Sequence, residues 1–185
     1  MENTVNTDKY KKKILTIPNV LSFVRLSLIP VIAWLYLTES FILAGIVIVI
    51  SGITDVADGY IARHFNMISD FGKVLDPIAD KATQGVVLIL LTTRFSLMII
   101  PIILLVIKES FMAISGYMVI RKTGIVLGAN WHGKLATLAV TLTMFIHIFY
   151  SNIPSVISLI SIIISSFLIF LSLALYAVRN IKYLK

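Results

Sequence analysis

The chain has 185 residues, 58% of them hydrophobic, a mean hydropathy of +0.98 and a formal net charge of +7. A soluble domain is about 45–50% apolar, and a chain this short has little interior in which to hide the excess, so a water-soluble globule is excluded in favour of one bilayer-embedded domain over 1–185. There is no cysteine, which excludes disulfide and thiolate chemistry, and the positive charge sits at the ends of apolar runs, where membrane topology explains it and nucleic acid need not.

Residues 1–13 are polar and are not followed by a cleavage-site pattern, so no cleaved signal peptide is expected. Within a juxtamembrane segment 1–16, Lys9, Lys11, Lys12 and Lys13 predict a short amphipathic surface helix facing anionic lipid. Apolar runs at 19–37, 40–62, 76–93, 97–120, 134–150 and 153–178 follow. Each approaches the ~20 residues that cross the hydrocarbon core as a helix, and lipid cannot satisfy a bare backbone. The expected fold is therefore all-α and integral to the membrane, with six transmembrane helices over 17–180. The basic N-terminus, Arg63 with Lys73, Arg121 with Lys122, and Arg179 with Lys182 and Lys185 fall on one side. The positive-inside rule puts that side, and both termini, in the cytoplasm.

The second and third spans carry charge where lipid disfavours it. Asp55 and Asp58 lie at the cytoplasmic end of the second span, Asp76 and Asp80 at the start of the third. Acids inside spans cost several kcal/mol and mark function by default. The spacings i, i+3 and i, i+4 put each pair on one helix face, and two antiparallel helices joined by a loop of about a dozen residues can bring the faces together. Carboxylates so gathered repel unless a cation or protons intervene. Magnesium bridges carboxylates and substrate phosphates, so the pattern predicts a Mg²⁺ or Mn²⁺ site for a phosphate-bearing ligand. The alternative is helix capping and pairing with Arg63, Lys73 and Lys81, with Asp76 beside a helix start and Pro77 in the first turn. Gly59, Ala62 and Gly72 leave room for a ligand near the backbone, or for close helix packing.

The series Asp55-x2-Asp58-Gly59-x2-Ala62-Arg63-x8-Gly72-x3-Asp76-x3-Asp80 resembles, at all eight positions, the motif of the CDP-alcohol phosphotransferase (phosphatidyltransferase) family. The opening Ile17-Pro18-Asn19-Val20-Leu21-Ser22-x2-Arg25 is similar to the bacterial phosphatidylglycerophosphate synthase branch. The resemblance implies six helices, a homodimer and a polar cavity open to the cytoplasm. It implies that Asp55, Asp58 and Asp76 ligate divalent metal, with Asp80 at or beside it as the base that deprotonates the acceptor hydroxyl. Gly59, Ala62, Arg63 and Gly72, with Asp55 and Asp58, would line the cytidine-diphosphate pocket. Sequence alone does not rank Asp80 above Asp76 as the base; the family does.

A phosphorylated acceptor needs fixed positive charge. Lys108 within the fourth span is the first candidate; Glu109 beside it points about 100° away and is not an ideal partner. Arg121, Lys134 and Arg25 complete the set, against snorkelling or headgroup contact as the alternative. Gly133-Lys134-x2-Thr137 resembles the opening of the fifth helix in the same synthases, whereas Ala129-Asn130-Trp131-His132 falls outside the resemblance and Trp131 reads as an interfacial anchor. Lys122, Arg179, Lys182 and Lys185 read as topology charges, and the serines of the last span as a packing stripe. The leading expectation is transfer of a phosphatidyl group from CDP-diacylglycerol to glycerol 3-phosphate with release of CMP. The alternatives are a cardiolipin synthase using phosphatidylglycerol, a divalent-cation transporter, and a structural membrane subunit.

Overall fold

The computed structural model describes residues 16–65, 69–150 and 152–184. The expected N-terminal surface helix with its four lysines lies outside the described residues, as does Lys185. The described residues form helices and no strand: α1 (Ile17–Leu37), α2 (Phe41–His64), α3 (Asp70–Thr92), α4 (Ile99–Thr123), α5 (Trp131–Phe149) and α6 (Ser155–Leu184), with a 3₁₀ turn (Ser96–Met98) leading into α4. Five of the six, all but α3, are long and apolar enough to cross a membrane. Large apolar side chains such as Trp34, Val56, Ile114 and Phe167 are exposed on them, as expected of helices solvated by lipid. The chain divides into two compact units, Met1–Val86 and Val87–Lys185.

In the first unit α1 packs along α2. Thr16 caps α1, its hydroxyl accepting from the Asn19 N–H at 3.4 Å. The buried stripe of α1 runs through Pro18, Asn19, Ser22, Arg25, Ile32 and Tyr36, and that of α2 through Ala44, Ile48, Ser51 and Asp58, both at the three- and four-residue steps of a packed helix face. The connection is tight: Glu39 takes a left-handed conformation (φ 60°), and Tyr36 meets Phe41 edge to face at 5.2 Å. The connection itself carries Thr38, Glu39 and Ser40, whereas the buried Asn19, Ser22, Arg25 and Asp58 collect at the end where α1 begins and α2 finishes.

The third helix differs most from expectation. It starts at Asp70, not near residue 76. Ser69 is its cap, its hydroxyl accepting from the Gly72 N–H at 2.9 Å. Asp76 and Pro77 thus stand inside the helix and not at its first turn, the loop before it is shorter than a dozen residues, and Gly72 belongs to the helix.

In the second unit α6 packs against both α4 and α5. Its buried serines make the packing stripe, and they bond across it. His147 Nε2 meets Ser158 Oγ at 2.8 Å, His132 Nδ1 meets Ser172 Oγ at 3.2 Å, and Thr143 Oγ1 donates to the Ser161 carbonyl at 3.2 Å. Asn180 Nδ2 donates to Ser115 Oγ of α4 at 2.7 Å. Arg179 has more than a topological role. It donates to the Gly128 carbonyl at 2.8 Å and to Asn130 Oδ1 at 3.1 Å, and its guanidinium lies 4.7 Å from the Tyr176 ring centroid. The Tyr176 hydroxyl accepts from the Asn130 N–H at 2.9 Å, so α6 fixes the segment entering α5.

Gly133 makes this clamp possible: a Cβ there would fall 3.0 Å from two Tyr176 ring carbons. Gly133→Ala is expected to lower stability by about 1–3 kcal/mol through overpacking, read as a drop in the thermal midpoint of the detergent-purified protein; an unchanged midpoint would show that Tyr176 gives way without loss.

Candidate functional site

The acid spacing predicts four carboxylates meeting face to face. The structure puts α1 among them. Arg25 is 2% exposed, and its guanidinium forks between two acids of α2, with Nη1 at 2.5 Å from Asp55 Oδ1 and Nη2 donating to Asp58 Oδ2. The Asp58 side chain is 3% exposed and that of Asp55 45%, so the deep acid is the one that depends on Arg25 for charge compensation. One turn earlier on α1, Ser22 Oγ donates to Asp76 Oδ1 of α3. A further turn back, Asn19 Oδ1 accepts from Ser69 Oγ at 3.0 Å. Asn19, Ser22 and Arg25, at i, i+3 and i+6, form one polar edge that ties the end of α2 to the beginning of α3.

Gly72 gains a structural reason from this edge. A Cβ on it would run into Asn19 Oδ1 and Ser69 Oγ, so the glycine lets α1 lie against the start of α3. Gly59 sits on α2 directly after Asp58, half-buried. Ala62 and Arg63 lie on the same helix, with side chains outside those described. Asp80 is exposed one turn beyond Asp76, and Ala79 beside it is fully buried, so α3 turns its apolar face inward and leaves Asp80 accessible.

Asp55, Asp58 and Asp76 offer only hard oxygen donors, the chemistry that Mg²⁺ and Mn²⁺ take, and the place between Asp55 and Asp58 already holds a positive group. The donor set fits such an ion. Among the described residues, no three acidic or histidine side chains converge closely enough to hold one; Arg25 contacts one oxygen of Asp55 and one of Asp58, and Ser22 donates to one of Asp76.

The residues expected to hold the acceptor phosphate lie on three helices, α1, α4 and α5. Arg25, one of them, has its charge engaged by Asp55 and Asp58. Lys108 is buried and pairs with Glu109, Nζ to Oε1 at 2.9 Å; the two flexible side chains curl together despite their adjacent positions. Arg121 is exposed in the last turn of α4, where a cation complements the helix dipole. Lys108 and Arg121 are separated by about 20 Å along α4 at 1.5 Å per residue, which leaves one phosphate to one of them. Lys134 is exposed in the opening turns of α5.

Sequence reasoning missed Ser22 and Asn19 as members of the site. The available signal was their polarity within an apolar span, in step with Arg25.

Comparison with known proteins adds a second line of information. The family model for CDP-alcohol phosphatidyltransferase matches residues 15–174. The CDP-diacylglycerol–glycerol-3-phosphate 3-phosphatidyltransferase of Rickettsia bellii is 41% identical over 96 residues, covering 50% of this chain and 53% of that protein. The enzyme of the same name from Bacillus subtilis is 33% identical over 138 residues, covering 66% of this chain and 71% of the relative. A cardiolipin synthase (CMP-forming) of Rattus norvegicus is 39% identical over 107 residues, covering 57% of this chain and 35% of the relative. The chain thus spans about half the length of the Rickettsia bellii relative.

Proposed function

The chain belongs to the CDP-alcohol phosphatidyltransferase family, and from that premise we propose that it transfers the phosphatidyl group of CDP-diacylglycerol to glycerol 3-phosphate, releasing CMP. The observation that carries the donor half is the gathering of Asp55, Asp58 and Asp76 around one polar edge of α1. Carboxylates concentrated in an otherwise apolar bundle suit a ligand that brings its own phosphates and counter-ion.

A magnesium or manganese ion held by Asp55, Asp58 and Asp76, with Asp80 at or beside it, would neutralise the pyrophosphate and ease departure of CMP. The chain's own residues do the rest. Gly59, Ala62 and Arg63 would line the cytidine-diphosphate pocket, while Gly72, packed against Asn19 and Ser69, would set the helix contact beside it. Asp80, accessible on α3, takes the acceptor hydroxyl proton as that oxygen attacks the phosphatidyl phosphorus; the bond from phosphorus to the bridging oxygen breaks and CMP carries that oxygen away. Lys108, Arg121 or Lys134 holds the acceptor phosphate.

Glycerol 3-phosphate is favoured as acceptor because the Bacillus subtilis enzyme aligns with this chain over 138 residues and the rat cardiolipin synthase over 107. The basic ends of the helices support a multi-pass protein of the cytoplasmic membrane with both termini inside, and we take it to work as a homodimer.

The test is CMP release by purified protein from CDP-diacylglycerol with each acceptor in turn. Release with glycerol 3-phosphate is expected. Release only with phosphatidylglycerol would make the protein a cardiolipin synthase. Mn²⁺ uptake into sealed vesicles without CMP formation would point to transport.

A further inference from the structure

We propose that Arg25 is the positioning residue of the donor site: its guanidinium holds Asp55 and Asp58 side by side in the metal-free protein and gives up its place when a divalent cation binds. This rests on the reading of the aspartates as metal ligands. Three observations carry it. Arg25 and Asp58 are both nearly inaccessible, in an environment where a lone charge of either sign is strongly disfavoured. The fork reaches one oxygen on each of two carboxylates, the two that would hold a divalent ion between them. And Asp76 is held by Ser22, one turn from Arg25 on the same edge of α1, so gathering Asp76 with Asp55 and Asp58 requires the guanidinium to move out and Ser22 to release or rotate with Asp76.

The two cations then compete for the same carboxylates, and competition has a sign. Without Arg25, a metal meets two unneutralised acids with nothing to displace, so it binds more tightly, while the metal-free protein loses its internal counter-ion. A purely structural arginine predicts neither. An arginine that contacts only substrate phosphate leaves metal affinity alone and raises the KM for CDP-diacylglycerol.

The experiment is Mn²⁺ titration of the full-length, detergent-purified chain, followed by the electron paramagnetic resonance of free Mn²⁺ and paired with thermal unfolding with and without the ion. Arg25→Gln is expected to bind Mn²⁺ about tenfold more tightly than wild type, within the usual span of coupled sites. Its metal-free midpoint should fall, and its Mn²⁺-induced rise should exceed that of wild type. Arg25→Lys, whose single ammonium cannot bridge both acids, should lie between the two, and it carries the test alone if Arg25→Gln does not accumulate. Unchanged or weaker Mn²⁺ binding in these variants, or an equal loss of midpoint with and without the ion, overturns the proposal. Mn²⁺ binding that is lost in Asp58→Asn but indifferent to Arg25 overturns the exchange and leaves the metal site standing. No Mn²⁺ binding by wild type overturns both.

Discussion

Asp80→Asn is expected to fold normally and to lose about 10²–10⁴-fold in turnover, the range that a positioned general base supplies. The four aspartates do not stand in equivalent surroundings. Asp58 is enclosed and bound to Arg25, Asp55 shares that guanidinium, and Asp76 accepts from Ser22. Asp80 is exposed, on the same side of α3 as Asp76 and one turn along. A base must meet the incoming hydroxyl within hydrogen-bond reach, and accessibility favours Asp80 over its three neighbours. The amide is nearly isosteric, so the change removes proton acceptance with little disturbance to packing. CMP release and the thermal midpoint, measured on the same preparation, check both halves. If turnover persists with the midpoint intact, Asp80 is not the base and the role passes to Asp76; in Asp76→Asn, turnover and Mn²⁺ affinity would then fall together.

Much of this arrangement is legible in the amino-acid sequence. The apolar runs locate the helices to within a few residues at most ends, because hydrophobic length is a strong signal in a bilayer. The acid pairs are legible because charge inside a span is rare. The beginning of α3 is misleading for a specific reason. Pro77 disfavours a helix interior, so residue 76 looks like a start. Yet Ser69 carries a plain capping signal for Asp70 onward, and a helix begun there buries Leu75 and Ala79 while Gly72 admits Asn19. Arg25 is visible as a charge but not in its partnership. One-dimensional spacing says which residues share a face, and it does not say which helix that face meets. Lys108 and Arg179 mislead in the same way: each looks like a charge awaiting a ligand or a membrane surface, and each is engaged within the second unit, by Glu109 and by the segment Gly128–Asn130.

Removing Arg25 should also be the costliest single change to metal-free stability in the site. Breaking a buried ion pair by deleting one partner typically costs about 3–5 kcal/mol, because the surviving charge stays buried. Arg25→Met leaves Asp58 in that position, with its side chain 3% exposed. Asp58→Asn is milder, since Arg25 keeps Asp55, whose side chain is 45% exposed and shared with solvent. The double variant Arg25→Met/Asp58→Asn removes the stranded charge and should recover about 1–3 kcal/mol relative to the sum of the single losses, the usual coupling of contacting residues. Denaturant unfolding in mixed micelles, with chelator present to keep the protein metal-free, measures all three. Additive losses would mean that the two side chains are neighbours without energetic coupling, and the guanidinium would then have no hold on the carboxylates to surrender. Strong coupling has the opposite consequence. The same pair that stabilises the metal-free protein sets the attraction an arriving cation must overcome, so metal-free stability and metal affinity should move in opposite directions across every substitution at position 25.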